Sequence, residues 1–509
     1  MATPSDKLAQ SLDALKLLQD AKAVAIRATD LTRVHRERLL KNGFIREVMK
    51  GWYIPVRPDG PAGESTDWYA SFWPFCAAYL RERFGDDWCL GAEHSIALHT
   101  GNWNVPRQLL VRATRGGNKP TGLLHDTSIF DLRLEVPGTE DVQVLEDLRV
   151  MRLPAALIAC APGHFAAHSV EMRAALAMVA DASEVLSRLL EGGHSSIAGR
   201  LAGAFRNIGR DQTADAITVT MKAAGYTVNE ADPFADRPPV AIGQRETSPA
   251  VNRLRMSWAA MREAVLERFP PPPGLPADVR AYLHQVEDVY AADAYNSLSI
   301  EGYRVSAELI ERVRSGNWKP DNGADRAHQD ALAARGYWQA FQKVKETVSR
   351  ILTGVNAGEA TRTDHGTWYR EMFGPSVSAG ILKPADLAGY RNCPVYIRQS
   401  MHVPPRSEAV RELMPAFFDL LREEREASVR VVLGHFFFVN IHPYFDGNGR
   451  MGRFLMNAML ASGGYPWTVI PLIQRTRYMN ALEAASAGRD IRPFAELLAE
   501  LVAGQDFRG

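Results

Sequence analysis

The sequence predicts a mainly α-helical C-terminal half, preceded by a winged helix-turn-helix and a mixed α/β domain. Three patterns lead there. Helical spacing followed by a hairpin pattern opens the chain, strand-like alternation is concentrated between about residues 44 and 150, and a polar cluster near residue 446 lies between two long apolar runs. With 509 residues, and domains usually of roughly 100–200 residues, the chain holds several domains rather than one core. The division expected is 1–60, 61–235, a linker at 236–250, a helical region at 251–345 and a core at 346–509 that holds the polar cluster.

Leu12, Leu15, Leu17 and Leu18 start a helical pattern that stops at Asn42-Gly43. Two short strands then flank the turn at Lys50-Gly51, and helices followed by a hairpin is the order of a winged helix-turn-helix. Between Lys22 and Arg57, nine Lys/Arg face three acids, a net +6 in a chain whose 59 basic and 59 acidic residues otherwise cancel. Such a patch suits phosphate contacts with DNA, and equally a solvated helix face. Strand alternation runs from Leu109 to Val150, and helical spacing from Val170 to Tyr226. Lys50-Gly51-Trp52-Tyr53 and Ala92-Glu93-His94-Ser95-Ile96-Ala97-Leu98-His99 resemble motifs of the AbiEi-type antitoxins, which implies a winged helix-turn-helix joined to an α/β domain.

Asp232-Pro233-Phe234-Ala235-Asp236-Arg237-Pro238-Pro239 reads as linker. Beyond it the pattern is helical, broken by Pro270 to Pro276 and by a strand-like piece near Pro394 to Val403. The four cysteines form no CxxC pair, which argues against zinc and a disulfide framework. The N-terminus lacks a signal-peptide pattern and no apolar run reaches the roughly 18 residues of a membrane span, so a cytoplasmic protein is expected.

The chemistry concentrates in His442-Pro443-Tyr444-Phe445-Asp446-Gly447-Asn448-Gly449-Arg450-Met451-Gly452-Arg453. An apolar run from Val429 to Ile441 reads as a buried helix that Pro443 ends. Phe454, Leu455, Met456, Met459 and Leu460 supply the core face of the next one. Gly447 and Gly449 permit positive φ and let backbone N–H groups converge at a helix N-terminus, a cradle for phosphate. Arg450 and Arg453, three apart, share a face and can grip one polyphosphate. Asp446 is a hard ligand suited to Mg²⁺ shared with phosphate oxygens, and His442 can serve as general base. An EF-hand is excluded because the fifth position of its loop, a ligand, would be Arg450, and a zinc site because further His or Cys ligands are missing.

This segment resembles the Fic-domain signature HxFx(D/E)GNGRxxR, with Tyr444 in place of the usual Phe. The resemblance implies a helical bundle with a short β-hairpin flap and AMP transfer from ATP to a Ser, Thr or Tyr hydroxyl of a protein. It implies that His442 deprotonates the hydroxyl, Asp446 holds Mg²⁺, Gly447, Asn448 and Gly449 bind the α- and β-phosphates, and Arg450 and Arg453 the β- and γ-phosphates. Relatives that transfer phosphate carry a lysine near the second loop glycine, where this chain has Gly449.

Ser297-Leu298-Ser299-Ile300-Glu301-Gly302 resembles the family's inhibitory pattern (S/T)xxxE(G/N), which implies that Glu301 pairs with Arg453 and blocks the γ-phosphate. Gly389-Tyr390-Arg391, Val395-Tyr396-Ile397 and His402-Val403-Pro404-Pro405 resemble the flap, implying that 394–403 binds a target protein as an added strand. Tyr478 with Ala481-Leu482 resembles the adenine pocket. The expected partners are thus ATP and a protein target, with DNA through 22–57 and a homodimer also compatible. AMP removal at the same site, and a DNA-binding autoregulator or toxin–antitoxin fusion, stand as alternatives.

Overall fold

A computed structural model describes residues 3–58, 65–234, 248–316 and 325–504, which fall into two compact units. The first comprises Met1–Arg253 with Tyr396–Val403, the second Leu254–Val395 with Pro404–Gly509. Most of the expected linker, residues 236–247, lies outside the described residues.

The first unit opens with helix Pro4–Asp20, capped by a reciprocal Thr3/Asp6 pair. Helix Arg33–Lys41 follows and ends at Asn42, with Gly43 at φ 71°. Strands β1 (Ile26–Arg27), β2 (Ile45–Met49) and β3 (Trp52–Pro55) form an antiparallel sheet in the order β1-β3-β2, with Gly51 at φ 83° in the β2–β3 turn. Several cations of this segment are engaged locally. Arg27 pairs with Asp30 and Glu82, Arg33 with Glu37, and Arg36 and Arg38 donate to the carbonyls of Ala28 and Lys7.

A second sheet joins β4 (Trp88–Leu90), β5 (Gln108–Ala113), β6 (Pro120–Gly122) and β7 (Ser128–Arg133) in the order β4-β5-β7-β6, with only β5 and β7 parallel. Beside it lies the hairpin β8 (Val142–Leu145) and β9 (Leu148–Met151). Alternate residues of β5, Leu109, Val111 and Ala113, are fully buried against Trp68, Phe72 and Phe75 of helix Thr66–Phe84. Helices Ser169–Met178, Ser183–Glu191, Ser195–Asn207 and Asp211–Ala223 complete the unit.

The strand-like reading of 394–403 is corrected. No strand forms at 394–403, so the expected hairpin is not formed by these residues. Instead Tyr396–Val403 joins the first unit, where Val105 N–H donates to Met401 O (3.0 Å), His402 Nδ1 meets Asn104 Oδ1 (2.8 Å), and Met401 and Val403 pack against the core of the second sheet. These bonds and apolar contacts take the place of strand pairing.

The second unit is helical. Asp325–Leu352 packs along Ala357–Ser378, and Ser407–Glu423 leads into Ala427–Ile441 and Asn448–Ala461. The last two approach closely, because a Cβ at Gly452 would lie 2.8 Å from Val439 and a Cβ at Gly434 would lie 3.8 Å from Met459. Phe436, Phe437 and Phe438 are buried, each burial worth roughly 1.5–3 kcal/mol. This apolar packing fixes the loop between those helices.

Candidate active site

Helix Ala427–Ile441 stops at His442, whose backbone is left-handed at φ 54°, ψ 59°, and Pro443 prevents continuation. Asn448 builds the loop by pairing both ways with Tyr444. Its Oδ1 accepts from Tyr444 N–H and its Nδ2 donates to Tyr444 O, both at 2.9 Å. With the side chain engaged in this way, what Asn448 leaves for a ligand is its backbone N–H at the helix start. Tyr444 is 1% exposed and stacks on Tyr369, centroids 3.9 Å apart, so the Phe-to-Tyr departure lies in the core.

Gly447 caps helix Asn448–Ala461 at φ 77°, and the first N–H groups of that helix have no intrahelical acceptor. Gly449 does not take positive φ, contrary to expectation. Its need is space, because a Cβ there would lie 2.3 Å from Glu301 Oε1 and 3.3 Å from Arg453 Nη1.

Arg450 and Arg453 are nearly fully buried. The Arg450 guanidinium lies between the rings of Tyr303 (5.1 Å) and Phe373 (5.0 Å), and donates to Asp446 Oδ2 at 3.3 Å. Arg453 donates through Nε to Ser297 Oγ (2.8 Å), and through Nη2 to Ser297 O (3.0 Å) and Glu301 Oε1 (2.6 Å). Arg450 Nε and Arg453 Nη1 are buried without a hydrogen-bond partner among the described residues. Unsatisfied cationic donors beside free helix N–H groups fit a polyanion.

Glu301 ends helix Tyr290–Ile300, and Gly302 at φ 92° reverses the chain there, with Tyr303 N–H donating to Leu298 O. Burial pushes the Glu301 carboxyl up, but Arg453 and Arg450 outweigh it and hold the group below its ordinary value. Arg475 Nε donates to Ile300 O, and Asn296 Oδ1 accepts from Leu472 N–H, tying this helix end to the segment after helix Asn448–Ala461.

His442 Nδ1 lies 3.2 Å from Val439 O. A carbonyl only accepts, so Nδ1 carries the proton and Nε2 is left able to accept one. Burial, with a smaller contribution from Arg391, pulls the ring down to about 4, which keeps it neutral at physiological pH. Asp446 remains 57% exposed in its side chain and accepts from Gly447 N–H at 2.6 Å. No group of three His, Cys, Asp or Glu able to hold a metal occurs among the described residues. A single exposed carboxylate beside a phosphate cradle fits a Mg²⁺ completed by substrate oxygens and water, not a protein cage.

Tyr478 is 1% exposed, with its hydroxyl 2.8 Å from His435 Nε2. Sequence reasoning missed Tyr303, Phe373 and His435. Tyr303 follows Glu301-Gly302 directly, and that adjacency was a usable signal; Phe373 and His435 had none.

Residues 364–460 match the model of the Fic/DOC family. A protein adenylyltransferase Fic of Drosophila ananassae is 39% identical over 223 residues, 42% of this chain and 40% of that protein. The counterpart of Drosophila willistoni is 30% identical over the same shares. This chain thus spans about two fifths of the curated relatives it matches. Among solved structures, Fic-1 (residues 134–508) of C. elegans aligns over 62% of this chain and 89% of its own, at 18% identity and TM-score 0.37. No described helix is long and apolar enough to cross a membrane.

Proposed function

Taking as premise that residues 364–460 form a Fic-family domain, we propose that this protein transfers AMP from ATP to a hydroxyl of a protein and is restrained by its own Glu301. The observation that carries this reading is the convergence of a neutral histidine, an exposed carboxylate and two buried arginines on one helix N-terminus. In the reaction, His442 Nε2 takes the proton of the target hydroxyl. The hydroxyl oxygen bonds to the α-phosphorus, the bond from that phosphorus to the bridging oxygen breaks, and pyrophosphate leaves. The N–H groups at the start of helix Asn448–Ala461 and the two guanidinium groups bind the phosphates and stabilise the charge that develops. Asp446 would hold Mg²⁺, which supplies charge neutralisation on the phosphates when bound.

Restraint follows from the same geometry. Glu301 occupies Arg453 Nη2 at 2.6 Å, the donor that the terminal phosphate of ATP would need. Exchanging Glu301 for glycine and supplying ATP labelled at the α-phosphate should label protein strongly, and adding His442→Ala should remove the label. Labelling that survives His442→Ala would exclude the histidine as base.

A further inference from the structure

His442 has a Cβ yet holds a left-handed backbone, a region such residues visit rarely, and the following Pro443 restricts it further. Conformations of this kind persist only where their surroundings over-determine them. Here the surroundings centre on Arg391, 51 residues away in sequence and 4% exposed. Its backbone N–H donates to Pro443 O at 2.9 Å, its Nε to His442 O at 2.7 Å, its Nη1 to Cys393 O at 3.0 Å and its Nη2 to Pro405 O. All of these acceptors are carbonyls. Two belong to the end of helix Ala427–Ile441 and its loop, where the helix dipole favours a cation. The same side chain joins the stretch before the 396–403 excursion to the stretch after it, so three segments meet on one planar fork.

We propose that Arg391 is a positioning residue for the catalytic histidine. It meets no reacting atom; by gripping the carbonyls of His442 and Pro443 it sets the direction in which the imidazole leaves the helix end. The proposal rests on the AMP-transfer reading above. The phosphate cradle, residues 447–453, takes no part in this grip, so ATP binding should be spared while turnover suffers.

The test uses the full chain carrying Glu301→Gly, with Arg391→Met and Arg391→Lys added separately, and measures kcat and the KM for ATP. Misplacing a base by a fraction of an ångström to an ångström lowers turnover by about tenfold or more. Arg391→Met should therefore cut kcat by about that factor with KM for ATP changed by less than about threefold. Arg391→Lys, whose single ammonium cannot span both His442 O and Pro405 O, should recover part of kcat. A folded Arg391→Met protein with kcat unchanged, or one that loses only ATP affinity, overturns the proposal. If Arg391→Met does not fold, Arg391→Lys decides by the same split.

Absence of labelling from Glu301→Gly itself would count against AMP transfer. The grip is then read in the otherwise unaltered chain by NMR of arginine side chains. The Nε–H signal that disappears in Arg391→Lys should exchange slowly with solvent, and fast exchange refutes the grip.

Discussion

Gly449 and Glu301 are predicted to be energetically coupled, although 148 residues separate them in sequence. Alanine is the better helix residue, so Gly449→Ala alone should stabilise helix Asn448–Ala461 by about 0.5–1 kcal/mol. Its new Cβ, however, would stand 2.3 Å from Glu301 Oε1, and the carboxylate, at the end of a flexible side chain, must move off Arg453. A charge-assisted bond of this kind is worth about 1.5–3 kcal/mol, and the 28% exposure of the Glu301 side chain reduces that to about 1–2 kcal/mol. Gly449→Ala should therefore leave the wild type unchanged or up to about 1.5 kcal/mol less stable, yet stabilise a Glu301→Ala protein. Urea unfolding of the four proteins of this cycle measures the coupling, expected at about 1–2 kcal/mol. Coupling near zero would mean that Glu301 does not rest against the loop.

Ser297→Ala removes the acceptor of Arg453 Nε and should raise basal labelling by a few-fold, less than Glu301→Gly, in a side-by-side labelling assay. Because the Glu301 carboxyl is held below its ordinary value, the restraint is complete above the unperturbed carboxylate range and is lost only as pH falls through the lowered value. The ratio of Glu301→Gly to wild-type labelling should thus stay flat from pH 6 to 8. Asp293 behaves oppositely. Burial raises it from 3.8 to about 6 despite the bond from Tyr337, so its contribution to stability is full below 3.8 and is lost as pH rises through 6. Asp293→Asn should raise Tm above pH 6 and have a shrinking effect below. His365 and His435, pulled down by burial to about 4 and about 3, contribute stability above 6.5 that is lost as pH falls through those values. Tm should decline steeply on acidification below pH 6.

What the sequence revealed was local. Pro443 after a histidine and glycine at 447 mark a helix end and a helix start whatever surrounds them, and the apolar runs on either side give both helices. The packing roles of Gly449 and Asn448 were not legible because they depend on neighbours. Gly449 makes room for Glu301, from a distant helix, and Asn448 braces Tyr444 within its own loop. The flap failed as a strand because the partners of Tyr396–Val403 lie about 300 residues earlier in the chain, at Asn104 and Val105, where alternation in sequence has no reach. Arg391 was quoted in a motif, but four carbonyls from three segments give it meaning only once folded.

The central claim is transfer of AMP rather than phosphate, and one comparison tests it most directly. Glu301→Gly protein is incubated with a protein acceptor and ATP labelled either at the α- or at the γ-phosphate. Label retained on protein from the α position alone, and lost with His442→Ala, is the predicted result. Label transferred from the γ position would contradict the account.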